Sequence, residues 1–116
     1  MAYRSFEELD VWKRGCKLSV SVYAALKDCK DYGLKDQMNR AAISIPSNIA
    51  EGAERESKKE FKHFLNIAKG SSAELRTQLY ISEKVELLQP VVTRPLVLET
   101  KEISAMIQGL IKSIKC

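Results

Sequence analysis

Apolar residues recur in alternating steps of three and four along four stretches of this chain, and that spacing commits it to helices. At about 100° per residue, such steps lay one stripe along one side of a coil. Leu9, Trp12, Cys16, Ser19, Tyr23 and Leu26 trace the first stripe, and Leu34, Met38, Ala41, Ile45 and Ile49 the second. Phe61, Phe64, Leu65, Ala68, Ser72, Leu75, Leu79 and Ser82 trace the third. Leu96, Ile103, Met106, Ile107, Leu110, Ile111 and Ile114 carry the fourth to the end of the chain. No strand-like alternation of useful length competes with this pattern, and no internal repeat or low-complexity tract interrupts it.

The punctuation between the stripes sets the boundaries. Ser5 followed by Glu8, and Ser57 followed by Glu60, are capping-box spacings. Asp31-Tyr32-Gly33 reads as a break, Gly52 as a stop just past a helix, and Gln89-Pro90 as a loop. Pro95 suits a first turn, whereas Pro46 falls inside the second pattern and predicts a kink. Gly70, within Gly70-Ser71-Ser72, predicts a close helix approach in the middle of the third. The helices are expected at about 6–29, 34–52, 58–87 and 95–114. A length of 116 residues leaves room for one domain. Short loops favour antiparallel neighbours, so the expected fold is all-α, an up-down-up-down four-helix bundle.

Composition removes several function classes. The three cysteines, Cys16, Cys29 and Cys116, have neither CxxC nor CxxH spacing, which argues against a disulfide framework or a zinc site and for a reduced compartment. The opening Met-Ala-Tyr-Arg-Ser-Phe-Glu-Glu lacks an apolar signal core, and no apolar run approaches the roughly 20 residues of a membrane span. The expectation is a cytoplasmic protein with no membrane partner. Nucleophilic catalysis needs a nucleophile, a base and an orienting group, and the chain has one histidine, His63. Glu60 and His63 match one Glu-x-x-His of the kind paired in di-iron bundles, yet the second motif and the further inward carboxylates are missing. No glycine-rich phosphate loop is present. Neither an enzyme nor any metal or other cofactor is indicated.

Two features remain beyond a simple bundle. Val11, Leu18, Val22 and Ala25 form a second stripe nearly opposite the first on helix one, and Ile43, Pro46 and Ala50 lie far from the core line of helix two. Apolar residues on opposite faces suggest burial against another copy of the chain, although scattered surface aliphatics are also common. The second feature is charge placement. Net charge is only +4, but Arg55, Lys62, Lys69 and Arg76 recur every seven residues, with Lys58 and Lys59 beside them. Cations on one face, segregated from Glu56, Glu60 and Glu74, would serve a phosphate-tracking surface; the plain alternative is a solvated helix face. Lys13, Arg14 and Lys17 of helix one extend that surface only if the fold brings them beside helix three. Gln37, Arg40, Ser44, Asn48 and Glu51 form a polar line on helix two, suited to a network inside the bundle or between subunits.

Four blocks carry a family resemblance: Leu9-Asp-Val-Trp12, Tyr32-Gly-Leu34, the long run from Gln37 through Ser44-Ile-Pro-Ser-Asn48-Ile-Ala-Glu51-Gly52, and Phe64 through Gly70-Ser-Ser-Ala-Glu74-Leu75. In this order, over nearly the whole chain, they resemble the four-helix-bundle proteins encoded by intervening sequences in bacterial 23S rRNA genes. The resemblance implies a left-handed antiparallel bundle assembled as a ring of five. More distantly, the chain is similar to accessory proteins of diversity-generating retroelements, which bind nucleic acid and a reverse transcriptase through a basic pentamer surface. Many relatives read Arg-Arg-Ala-Ala where this chain has Asn39-Arg40-Ala41-Ala42, so one cation is missing. Two readings follow. One is a homo-oligomer, five-fold by resemblance, that binds RNA or DNA nonspecifically through the helix-three cations. The other is an assembly scaffold for a protein partner, kept soluble by its lysines.

Overall fold

The computed structural model describes residues 5–115. After a 3-10 turn at Phe6–Glu8 come α1 (Asp10–Ala25), α2 (Tyr32–Ala53), α3 (Lys58–Lys84) and α4 (Pro90–Ser113). Contacts run antiparallel from each helix to the next. Ser19 of α1 meets Ala42 of α2, Ser44 of α2 meets Ser71 of α3, and Lys69 of α3 meets Gln108 of α4. Arg14 of α1 reaches Glu99 and Glu102 of α4 and closes the circuit. The up-down-up-down bundle measures 45 × 20 × 19 Å. The 27 residues of α3, at about 1.5 Å each, nearly span its long axis.

Helix ends differ from expectation for local reasons. Ser5 makes no capping bond, so the first turn is 3-10 and the α-helix proper starts at Asp10. Asp31, expected in a break, caps α2 by accepting from the Leu34 N–H at 3.1 Å. Ser57 does the same for α3 through the Glu60 N–H at 3.2 Å. At the far end of α3, Glu86 takes a left-handed φ of 60°. The Leu87 and Glu86 N–H groups fold back to the Ser82 and Glu83 carbonyls at 2.8 and 3.1 Å, a Schellman stop without glycine. Pro90, not Pro95, occupies the first turn of α4. Pro95 lies farther along, and the carbonyl it frees belongs to Val91, an exposed residue where water can reach.

Pro46 stays within a continuous α2 because a neighbour supplies what it lacks. A proline at 46 leaves the Ala42 carbonyl without its helical donor. Ser19 Oγ of α1 donates to that carbonyl at 2.9 Å, and Ala42 is buried. The Pro46 ring packs where α1 carries Gly15: a Cβ there would sit 3.4 Å from Ile45 and Pro46. Gly52 is tighter still, since a Cβ would fall 2.7 Å from Phe64 Cβ and 3.2 Å from the Phe61 carbonyl. Gly70 departs from expectation. Nothing lies within 4 Å of its would-be Cβ, so no close approach within the subunit accounts for it.

The core corrects the assignment of the α1 stripes. Val11, Leu18 and Val22, expected on an outer face against a second subunit, are only 4%, 2% and 0% exposed and pack with Met38, Ile45, Ile49, Leu75 and Ile107. Ala25 is half-buried beside them, and on α2 Pro46, also expected on the outside, is buried against Gly15 of α1 while Ala50 is half-buried. The stripe expected inside is the partly open one. Tyr23 is 65% exposed, while Trp12, Cys16 and Ser19 are half-buried. Size decides this: Gly15 and Ser19 let α1 approach α2 where bulky Trp12 and Tyr23 could not enter the crossing. Leu26 ends in the core as expected. An apolar surplus remains on the outside of α1 and α2, namely Val20, Tyr23 and Ile43 with partly covered Trp12. Among the described residues, no helix is long and apolar enough to cross a membrane.

Candidate nucleic-acid interface

The seam between α3 and α4 is polar on its outer side, and its polar groups converge on cations. Arg76 Nε donates to Thr100 Oγ1 at 3.0 Å, and Nη2 donates to Ser104 Oγ at 2.9 Å and to the Thr100 carbonyl at 3.4 Å. Ser104 Oγ donates to Ser72 Oγ at 2.9 Å, and Ser72 Oγ to the Thr100 carbonyl at 2.9 Å. One heptad earlier on α3, Lys69 Nζ donates to Gln108 Oε1 at 2.7 Å. Lys62 follows one heptad before that, half-buried and without an acidic partner among the described residues.

Because Thr100, Ser104 and Gln108 point at α3, helical geometry places the cations of α4 as well. Lys101 lies about 20° around the helix from Gln108, and Lys112 about 40°. Arg94, one heptad before Lys101, is confirmed toward α3 by its 3.7 Å contact with Glu83. Lys101 and Lys112 are exposed. The face therefore carries Lys62, Lys69 and Arg76 from one helix and Arg94, Lys101 and Lys112 from the other. Six acids lie elsewhere: Glu99 and Glu102 face α1, whereas Asp36, Glu51, Glu60 and Glu74 lie on the α2–α3 side. Glu83, at the Arg94 end, is an acid that does lie on this face.

The remaining basic residues divide. Lys58 and Lys59 stand exposed on the first turn of α3, where the helix N-terminus adds to the positive potential. Arg55 is engaged otherwise, 2.9 Å from Glu51, 3.7 Å from Glu60 and stacked 4.9 Å from the Phe64 ring centre. Arg14 does not extend the cationic face as expected. Its guanidinium grips Glu99 through two bonds of 2.9 and 2.6 Å and reaches Glu102 at 2.7 Å. The bonds to Glu99 and then Glu102 push its pKa further up, so it remains a charged clamp between α1 and α4.

The polar line of α2 separates into a closed part and an open part. Ser44 Oγ and Ser71 Oγ share a 2.8 Å hydrogen bond across to α3, and Asn48 Nδ2 donates to the Ser44 carbonyl and Oγ at 2.8 and 2.9 Å. Gln37 and Arg40 instead line an open polar groove with Asp36, Ala41, Ser44 and Glu74. Arg40 has only a 3.8 Å contact with Asp36, both exposed. His63 stacks edge-on against Phe64 while Glu60 turns to Arg55, and no metal-holding cluster occurs among the described residues. Burial pushes the Cys16 thiol up, away from thiolate chemistry. Cys116 lies outside the described residues.

The sequence pattern of the 23S rRNA-intervening sequence protein family matches residues 7–109, nearly all of the bundle. The chain belongs to that family. A solved structure from Bacteroides thetaiotaomicron, described as a protein of unknown function from the S23 ribosomal protein family, shares the fold. Its TM-score is 0.84 at 21% identity, covering 89% of this chain and 99% of that one. No curated protein matches the chain. Membership in the 23S rRNA-intervening sequence family and the four-helix fold thus agree with the resemblance read from the Ser44–Gly52 block.

Proposed function

We propose that this member of the 23S rRNA-intervening sequence family is a subunit of a homo-oligomer that binds nucleic acid, RNA first, by neutralising backbone phosphates along the α3–α4 face. The observation that carries this reading is the segregation of charge. Six cations from two helices share one side, while six carboxylates are turned to the other seams. Such a surface tracks phosphates without reading bases, because each cation brought to a phosphate releases a condensed counterion. Lys58 and Lys59 extend the track beyond the seam, whereas Arg55 contributes little while Glu51 and Glu60 hold it. Residence in the cytoplasm follows from such a ligand.

Self-assembly rests on the outer α1–α2 surface, where Val20, Tyr23 and Ile43 are more than half exposed on neighbouring helices. Five subunits is the number that the family resemblance implies. A scaffold for a different protein would use the same surface, so experiment must separate the two roles. Binding of a labelled RNA hairpin is measured against salt for the native protein and for the Lys62→Gln/Lys69→Gln/Lys101→Gln variant. The native log–log plot should be steep. The variant should lose about two to three units of slope, at roughly 0.7–0.9 per phosphate contact, with its oligomeric mass unchanged. Equal slopes for the two proteins would remove the nucleic-acid reading and leave the scaffold.

A further inference from the structure

The polar groups around Arg76 hold it in a way that simple adhesion between helices does not need. Ser72 and Thr100 are fully buried, and each hydroxyl there spends its proton away from the arginine. Thr100 Oγ1 donates to the Val97 carbonyl at 2.6 Å, Ser104 Oγ to Ser72, and Ser72 to the Thr100 carbonyl. Lone pairs on Thr100 and Ser104 are thereby turned toward the guanidinium. They take the Nε–Nη2 edge. A guanidinium has five N–H donors, and the two on Nη1 find no acceptor among the described residues. The side chain is half-buried, with no acid in its cluster.

We propose that Arg76 is the fixed phosphate anchor of the α3–α4 face, and that Thr100 and Ser104 are the positioning residues that aim its free edge outward. The inference rests on the phosphate-binding reading above and adds a division of labour to it. Lys62, Lys101 and Lys112 are long, exposed or half-exposed side chains that supply charge and adapt to the strand. Arg76 arrives already ordered. A flexible side chain loses rotamer freedom on binding, and a pinned one has lost it beforehand. Its two Nη1 N–H groups are held in the fixed plane of the guanidinium and can each donate to a phosphate oxygen from a set direction, whereas a lysine ammonium rotates freely. The ligand chemistry is the phosphodiester or free phosphate oxyanion, common to RNA and DNA.

The test follows the Arg76 Nε–H signal by NMR during titration with pyrophosphate, alongside binding of an RNA hairpin and a DNA duplex of equal length. Ser104→Ala and Thr100→Val are the positioning variants; Ser104 is the safer site because it is only half-buried. Each variant should bind RNA and DNA about 2- to 10-fold more weakly, the loss expected when one side chain must be ordered on binding. Salt slope should stay unchanged, since the number of cations is the same. Arg76→Lys should also keep the slope and lose affinity, whereas Thr100→Ser, which keeps the accepting hydroxyl that Thr100→Val removes, should bind nearly as the native protein does. A merely structural staple would change melting temperature and leave affinity alone. If RNA binds but the Arg76 signal stays still and Ser104→Ala binds normally, the anchor is wrong and the broader reading survives. If pyrophosphate moves Arg76 and neither nucleic acid binds, the anchor stands and the nucleic-acid reading falls. Silence in both assays overturns both.

Discussion

Replacing Ser19 by Ala should cost this bundle far more than a half-buried hydroxyl suggests, and the excess should vanish when Pro46 is also replaced. The Ala42 carbonyl is the group at stake. Pro46 cannot donate to it, Ser19 Oγ does so at 2.9 Å, and Ala42 is 1% exposed. Ser19 also lies 3.0 Å from the Gly15 carbonyl, but that acceptor keeps a helical donor in the Ser19 N–H. Ser19→Ala therefore leaves one buried carbonyl unsatisfied, about 1–3 kcal/mol. At roughly 4 °C per kcal/mol for a chain of this size, the midpoint should fall by about 4–12 °C. In a Pro46→Ala background the new Ala N–H restores the helical bond, and removing the serine should cost under about 1 kcal/mol. The cycle, run by urea denaturation at fixed subunit concentration, should give a coupling of about 1–2 kcal/mol. Equal Ser19→Ala costs in the two backgrounds would refute the compensation.

Three other substitutions probe separate parts of the structure. Gly52→Ala drives a Cβ to 2.7 Å from Phe64 Cβ, so it should cost about 1–3 kcal/mol by overpacking, measured by thermal melts; a neutral result would mean that the α2–α3 corner opens freely. Glu86→Gly relieves a left-handed residue in the Schellman stop of α3 and should stabilise by about 1 kcal/mol; destabilisation would contradict that cap. Tyr23→Glu with Ile43→Glu should reduce the light-scattering mass to one subunit while the helical circular dichroism is retained; an unchanged mass would move the assembly surface elsewhere.

How far the residues foretold this structure varied by element. The stripe of α3, its Ser57 cap and the heptad spacing of Lys62, Lys69 and Arg76 are visible in the sequence because they are local and periodic. The faces of α1 are not, because two stripes compete there. What selects Val11, Leu18 and Val22 is the fit of Gly15 and Ser19 against Pro46 and Ala42, a tertiary relation that helical spacing cannot express. α3 ends earlier than its periodicity predicts because its left-handed cap is Glu86 rather than glycine, and α4 starts earlier because Pro90 and Pro95 offer equal signals. On the basic face, the share of α4 had a usable signal, with Arg94, Lys101 and Lys112 spaced by seven and eleven. Only the register that sets Gln108 against Lys69 joins it to α3. Conversely, Arg14 reads as a free cation but is held by Glu99 and Glu102 of the distant α4, whereas Arg55 is held by Glu51 one turn back, a local spacing that the sequence does carry.

Lysine footprinting with and without bound RNA tests the central assignment most directly. Acetylation of the protein alone, then of the complex at low salt, followed by mass spectrometry, reports which ammonium groups the ligand covers. Lys62, Lys69, Lys101 and Lys112 should be protected together, while Lys27, Lys30 and Lys35 near the α1–α2 loop remain reactive. Protection confined to the α1–α2 loop, or uniform reactivity with RNA bound, would contradict the α3–α4 face as the phosphate surface.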